Sequence, residues 1–401
     1  MERRSYLAAL GVAVSGTVAG CLGGVGSGGN SGDGAGDSSD SNGLPESASL
    51  ETVTDGLAFP WAMAFRSDGE SLLVTERDAG RLLRVDLADG STTEIDGIPE
   101  VEPAGQGGLL DVTLGPDDEW AYLTYAVAND SGETTTRLGR GRLTGAGDDD
   151  RLSDFEVLYT AEPYVDSGGH YGSRVAIGPD GLLYMTVGDR QSKDFGPDHF
   201  AQDLSNDLGT TLRLRPDGSI PEDNPFVDDP DARDAIYSYG HRNAQGIDVH
   251  PETGAIWESE FGESDGDEIN RIERGGNYGW PVADEGCTYV TGEEIGVSHD
   301  DRDDVIAPVF GWPCGADGPA PSGMTFYDGE AFPEWQGDLF VGGLVTQDIV
   351  HLAVDGDEVS EEAPLLAEFN RRIRDVVVGP DDALYVAVDA GDAPILRIAP
   401  K

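Results

Sequence analysis

The chain has 401 residues and sets 25 Lys+Arg against 77 Asp+Glu, a formal net charge of −52. Like charge repels phosphate backbones and anionic headgroups, which argues against nucleic acid or a bare lipid surface as a partner, and 38% hydrophobic residues argue against wholesale disorder. Acidic residues run the whole length and only Lys193 and Lys401 are lysines. Such a composition fits a halophilic protein, because screening in high salt removes the self-repulsion of the compact state.

The first segment reads as an address. Arg3 and Arg4 precede an apolar stretch from Tyr6 to Ala19 that is short for a bilayer span, so residues 1–20 are expected to be a signal peptide. The paired arginines resemble a twin-arginine (Tat) signal. Val18-Ala19-Gly20-Cys21 resembles a lipobox, which would make Cys21 the lipidated first residue of a lipoprotein; the alternative is a plain signal followed by an incidental cysteine. Residues 21–49, rich in Gly, Ser and Asp, read as a flexible tether. The expected location is the extracellular face of the cell membrane, with membrane contact only through the anchor at Cys21. An acylated Cys21 leaves Cys287 and Cys314, either a disulfide or two free thiols in an oxidising space.

Residues 50–401 are expected to form one domain built on a repeat. A polar turn followed by a short alternating apolar run occurs six times. The turns are Arg66-Ser67-Asp68-Gly69, Gly115-Pro116-Asp117-Asp118, Gly178-Pro179-Asp180-Gly181, His250-Pro251-Glu252-Thr253-Gly254, Phe332-Pro333-Glu334-Trp335 and Gly379-Pro380-Asp381-Asp382. Pro and Asp preset a tight turn, and the period-two run after it reads as a half-buried strand. Amphipathic helix patterns are hard to find. The expectation is an all-β, six-bladed β-propeller of four-stranded antiparallel blades, with spare loop length at one face to build a site.

Four segments carry residues suited to chemistry. Gly168-Gly169-His170-Tyr171-Gly172 brings an imidazole to a bend, as a general base or as a hydrogen-bonded structural histidine. Gly240-His241-Arg242-Asn243 sets a fixed cation beside an amide, suited to an anionic or carbonyl-bearing ligand or to a buried salt bridge. The oxygen-rich run from Glu260 to Glu268 reads as a Ca²⁺ loop or a solvated loop. Arg372 and Arg374, two apart, would face one side of a strand and clamp carboxylates.

Several ordered motifs resemble one family. Gly105-Gln106-Gly107-Gly108-Leu109-Leu110-Asp111, the His170 loop with Gly188-Asp189, Gly240-His241-Arg242-Asn243, Asp267-Glu268-Ile269-Asn270, Gly276-Asn277-Tyr278-Gly279-Trp280-Pro281 and Arg372-Ile373-Arg374-Asp375 are similar to the soluble quinoprotein glucose dehydrogenase and aldose sugar dehydrogenase family. The resemblance runs from about Leu57 to Pro400. It implies an oxidoreductase that binds pyrroloquinoline quinone (PQQ) and Ca²⁺ and oxidises the C1 hydroxyl of an aldose to the lactone, passing electrons on to a separate acceptor. His170 is then the base, and Arg242 the charge beside the quinone oxygens. Gln106, Asn243, Arg372 and Arg374 contact the cofactor, Trp312 forms an aromatic wall, and the backbone carbonyls of Gly262 and Glu263 hold Ca²⁺.

The chain also departs from that pattern. Val345 stands where the family carries a cofactor-contacting lysine, Glu263 stands where the glucose enzyme has proline, and the stretch from Trp312 to Pro321 differs in length. Two competing readings are a non-enzymatic binding propeller and a Ca²⁺-dependent lactonase-type propeller, the latter requiring metal-binding side chains in the central channel.

Overall fold

The computed structural model describes residues 43–145, 150–356 and 358–401. The expected signal peptide, Cys21 and the tether up to residue 42 lie outside the described residues. The first strand, Ala48–Leu57, begins just ahead of the expected boundary at residue 50.

Six four-stranded antiparallel sheets follow one another along the chain. Blade one runs from Pro60–Phe65 to Thr92–Ile95, blade two from Leu109–Leu114 to Arg151–Thr160, and blade three from Val175–Ile177 to Ile236–Tyr239. Blade four runs from Ala244–Val249 to Phe310–Trp312 and blade five from Pro321–Phe326 to Glu358–Glu361. Blade six takes three strands from the C-terminal end, Ile373–Val378, Leu384–Val388 and Ala393–Pro400, and its fourth from Ala48–Leu57. The first strand of each blade packs against that of the next, and blade six returns to blade one, so the ring closes. Helix among the described residues is limited to three short 3-10 turns.

The repeated sequence signal is the first hairpin of each blade. Every one of the six polar turns delivers the chain into a blade's second strand, such as Ser71–Glu76, Leu183–Val187 and Leu384–Val388. In the third repeat Gly181 N donates to Gly178 O at 2.9 Å with Gly181 at φ +75°. In the second and sixth, Asp118 and Asp382 take that left-handed position at φ +54° and +61°, which a short polar side chain tolerates. The apolar residues delivered this way pack between blades. Phe340 and Val386 join blades five and six, and Val74 and Tyr385 join blades six and one.

One side chain ties the inner strands together at the axis. Arg174, leading into blade three, donates from Nε to Gln245 O of blade four at 2.8 Å and pairs through Nη1 with Asp111 of blade two at 3.3 Å. Its Nη2 pairs with Asp375 of blade six at 2.9 Å and also donates to Trp61 O of blade one and Arg374 O. Its guanidinium lies 4.2 Å from the centre of the Trp61 ring. Blade five contributes by having no side chain there: a Cβ on Gly323 would stand 1.8 Å from Asp375 Oδ1 and 2.6 Å from Arg174 Nη2. Burial pushes the Asp375 carboxyl up to about 6, with Arg174 opposing and Asp111 adding to the rise.

The longest insertion, between the third and fourth strands of blade four, carries an extra hairpin, Ala283–Cys287 with Glu294–Gly296. A disulfide joins Cys287 to Cys314, with Cα atoms 5.2 Å apart, so the pair left open by the sequence is bonded.

Candidate active site

A cavity of about 340 Å³ stands directly on this axis, since three of its wall residues, Trp61, Gln245 and Arg374, have their carbonyls held by Arg174. Its walls bring together Gln106, His170, Arg242, Asn243, Arg372 and Arg374, six of the residues singled out in the sequence, from four different blades and their loops. A larger opening of about 460 Å³ lies between Asp89, Pro380, Asp381 and Arg397, but it holds no histidine and no cluster of cations.

His170 is 6% exposed and adopts φ +49°. Gln106 holds it there: Gln106 N donates to Gly168 O at 2.7 Å, and Gln106 Oε1 accepts from His170 N at 2.8 Å. The two turns approach so closely that a Cβ on Gly105 would stand 2.2 Å from Gly168 O, which explains glycine at that position. His170 Nδ1 lies 2.6 Å from Asp189 Oδ1. Asp189 is buried, and its other oxygen accepts from Trp280 Nε1 at 2.9 Å. Burial favours the neutral acid at Asp189, but the His170 ring and the Arg242 and His199 charges together hold its carboxyl below the ordinary value. A carboxylate there takes the Nδ1 hydrogen and leaves the lone pair on Nε2. Burial, then the charge of Arg242, lowers the imidazole pKa against the pull of Asp189. Both effects favour the neutral ring, whose Nε2 lone pair can accept a proton.

Arg242 is 4% exposed and runs beside this base, with its guanidinium 5.3 Å from the centre of the Trp280 ring. Nη2 pairs with Glu263 Oε2 at 2.6 Å and Nη1 donates to Phe261 O at 3.3 Å, while Nε is buried without a partner among the described residues. Asn243 Oδ1 accepts from Gly172 N at 3.1 Å and so braces the His170 loop from the other side. The neighbouring His241 is structural: it bonds Glu260 and Ser238 at 2.9 Å each and stacks on Tyr278.

Arg372 and Arg374 do face one side, and both bond Asp389 Oδ2, at 3.0 and 3.1 Å. Arg374 also donates to Gln245 Oε1 at 2.9 Å, and its Nε is buried without a partner among the described residues. Burial, opposed by Asp389 and reinforced by Arg77 and Arg372, pushes the Arg374 guanidinium down to about 10, still charged near neutrality. With Arg77 and Lys193, five cations line one cavity in a chain of net charge −52.

Two expectations meet a different arrangement. Trp312 is not on the cavity wall: it ends the outer strand of blade four, where its ring packs with Trp257 and Met324 and its Nε1 donates to Glu361 at 3.0 Å. The aromatic wall comes instead from Trp61, Phe261 and Tyr289. Gly262 and Glu263, next to the wall residue Phe261, are not among the residues lining the cavity, and the Glu263 side chain pairs with both Arg242 and Lys193.

The run from Glu260 to Glu268 is not a solvated loop either, since Glu260, Glu263, Asp267 and Glu268 are all buried. Asp267 takes the backbone N–H of Gly262 and Ala320 at 2.9 and 2.7 Å, and Asp265 takes those of Cys287 and Gly315 at 2.7 Å each. Burial pushes Glu268 and Asp284 upward, and each sits among further acids that add to the rise. Among the described residues no N–H or O–H donates to the carbonyl oxygen of Gly262 or of Glu263.

Comparison with known proteins gives a consistent result. The family described as Glucose / Sorbosone dehydrogenase matches residues 57–397. Aldose sugar dehydrogenase YliI of Escherichia coli is 38% identical over 364 residues, covering 89% of this chain and 94% of the relative. Quinoprotein glucose dehydrogenase B of Acinetobacter calcoaceticus is 27% identical over 420 residues, covering 86% of each. Among solved structures, the apo-form of the soluble aldose sugar dehydrogenase of E. coli superposes with a TM-score of 0.82 at 37% identity, covering 88% of this chain and 100% of that one. The PQQ-bound form of aldose sugar dehydrogenase from Streptomyces coelicolor gives 0.70 at 29% identity, covering 89% and 99%.

Proposed function

The chain belongs to the Glucose / Sorbosone dehydrogenase family, and from that premise we propose that it is a PQQ-dependent sugar dehydrogenase that oxidises the C1 hydroxyl of an aldose to the lactone with the help of Ca²⁺. The observation that carries this reading is His170, oriented by Asp189, in the same cavity as a buried Arg242.

The residues present suit the cofactor. Five cations answer a tricarboxylate, Trp61, Phe261 and Tyr289 answer a flat ring system, and the free Nε atoms of Arg242 and Arg374 are two buried donors in need of acceptors. For Ca²⁺, the free carbonyls of Gly262 and Glu263 are a pair of hard oxygens, with the Glu263 carboxylate nearby. When bound, PQQ supplies the hydride acceptor and Ca²⁺ a Lewis acid that polarises it.

The protein's own residues do the rest. His170 Nε2 takes the C1 hydroxyl proton as the C1 hydride departs, which leaves the C1 carbonyl of the lactone. Asp189 stabilises the imidazolium so formed and keeps the ring in its working orientation. Arg242 holds a fixed positive charge where negative charge develops, without reorganising at the moment of reaction. Arg372 and Arg374, set by Asp389, clamp carboxylates, while Gln106 and Asn243 hold the base's loop. The lactonase-type alternative needs a cation on the propeller axis, and the Arg174 guanidinium stands there between Asp111 and Asp375.

Reconstitution is the test. Protein loaded with PQQ and Ca²⁺ should show the oxidised quinone spectrum and convert it to the reduced one when an aldose is added. A spectrum unchanged by a panel of aldoses would sink the proposal. Export, attachment through a lipid on Cys21 and adaptation to high salt complete the proposed setting; no helix among the described residues is long and apolar enough to cross a membrane.

A further inference from the structure

Of the five cations around the cavity, the four arginines are anchored. Arg77, its side chain only 15% exposed, pairs with Asp78 and lies 5.5 Å from the Phe59 ring centre, Arg372 also donates to Leu344 O, Arg374 also donates to Gln245, and Arg242 also donates to Phe261 O. Lys193 differs. Its Nζ bonds the two oxygens of Glu263 at 2.5 and 2.6 Å, and its side chain is 56% exposed against 5% for both Glu263 and Arg242. It reaches the cavity from the loop between Val187 and Phe200, passing 5.7 Å from the Phe195 ring centre and 5.9 Å from that of Tyr289.

The geometry allows this cation to leave its partner at little cost. Glu263 is shared, and its bond to Arg242 persists if Lys193 departs, so no buried carboxylate is left alone. A lysine on a four-carbon stem can swing between acceptors, whereas a planar guanidinium fixed by two contacts cannot. On the wall of the same cavity, Val345 is 66% exposed and its side chain offers an anion nothing but methyl groups. It occupies the position at which the family resemblance implies a lysine.

We infer that Lys193 is the mobile cation of this site, able to move from Glu263 to an anionic group of the bound cofactor in place of the contact that Val345 cannot make. The inference rests on the sugar dehydrogenase reading above. It makes Lys193 and Glu263 a matched pair: the glutamate sets where the lysine waits, and the lysine supplies the grip.

The test is titration of the apo-protein with PQQ at fixed Ca²⁺ and salt, followed by quenching of tryptophan fluorescence. Losing one charge-assisted bond should weaken PQQ binding by about 10-fold or more in Lys193→Met, while Lys193→Arg should stay closer to wild type. Val345→Lys added to Lys193→Met should restore most of the loss, and Val345→Lys alone should gain little, because the contact is already made. Unchanged affinity in Lys193→Met, no recovery in the double variant, or a tenfold gain from Val345→Lys alone would each overturn the inference. A wild-type protein that does not bind PQQ would instead overturn the functional reading, so the two failures are distinct.

Discussion

Asp189 Oδ1 lies 2.6 Å from His170 Nδ1, and the Asp189 backbone N–H donates to Arg242 O at 2.8 Å. One aspartate therefore orients the base and fixes the strand end that carries the neighbouring cation, so charge and base are placed by the same residue.

A first prediction follows for His170. His170→Gln should keep PQQ binding while kcat falls by about 10² to 10⁴, the usual worth of a general base. Because burial and Arg242 lower the imidazole pKa, the rate should rise with pH below 6.5 and be level through neutrality. In Asp189→Asn the partner that raises that pKa is gone, so the acid limb should move lower still while kcat drops. Stopped-flow reduction of bound PQQ across pH reads both effects, and an acid limb that moves upward in Asp189→Asn would contradict the assignment.

The axial arginine predicts a stability effect. Arg174→Met leaves Asp111 and Asp375 buried without their cation, which should cost about 3 to 5 kcal/mol. Adding Asp375→Asn should return part of that loss by removing one of the stranded charges. Denaturant melts of the three proteins check this, and a single variant as stable as wild type would remove Arg174 from its role as the tie between blades.

Salt dependence follows from the charge of −52. The melting temperature should rise between low and molar salt as repulsion among carboxylates is screened. Thermal melts over a salt series read it directly, and a flat or falling trend would show that repulsion does not limit this fold.

Anchoring is predicted to depend on one atom. Cys21→Ser should release the protein from membranes while the propeller keeps its fold and its activity. Fractionation of cells expressing each form decides it, and equal retention of both would mean that something other than a lipid on Cys21 holds the protein.

What could be read in advance followed from how local each signal is. The six turns and the strands after them are short contiguous patterns, so blade number and the first hairpin of each blade were legible from residues such as Gly178-Pro179-Asp180-Gly181 alone. His170, Arg242 and the Arg372/Arg374 pair were legible because each sits in a distinctive local setting. Arg174 was not, since its partners arrive from other blades, the farthest being Arg374 and Asp375 in blade six. Lys193 lies in a polar loop without pattern, and only the fold brings it to Glu263. Trp312 enters the expected aromatic wall only through the family resemblance, whereas its strand pairs with Asp267–Ile272 and carries the ring into the packing between blades four and five.

The strand Ala48–Leu57 pairs with Ala393–Pro400, from Ala48 opposite Pro400 to Leu57 opposite Ala393. Because Ala48–Leu57 waits for Ala393–Pro400, blade six cannot close before residue 400 has been made. That wait leaves the strand edges of blade six open to other chains until the pairing is made. It also brings the two ends of the propeller together, with Lys401 N donating to Ser47 O at 2.7 Å. Joining them by a short linker and opening the chain in a loop between two other blades should preserve the ring while changing the order in which its blades are made.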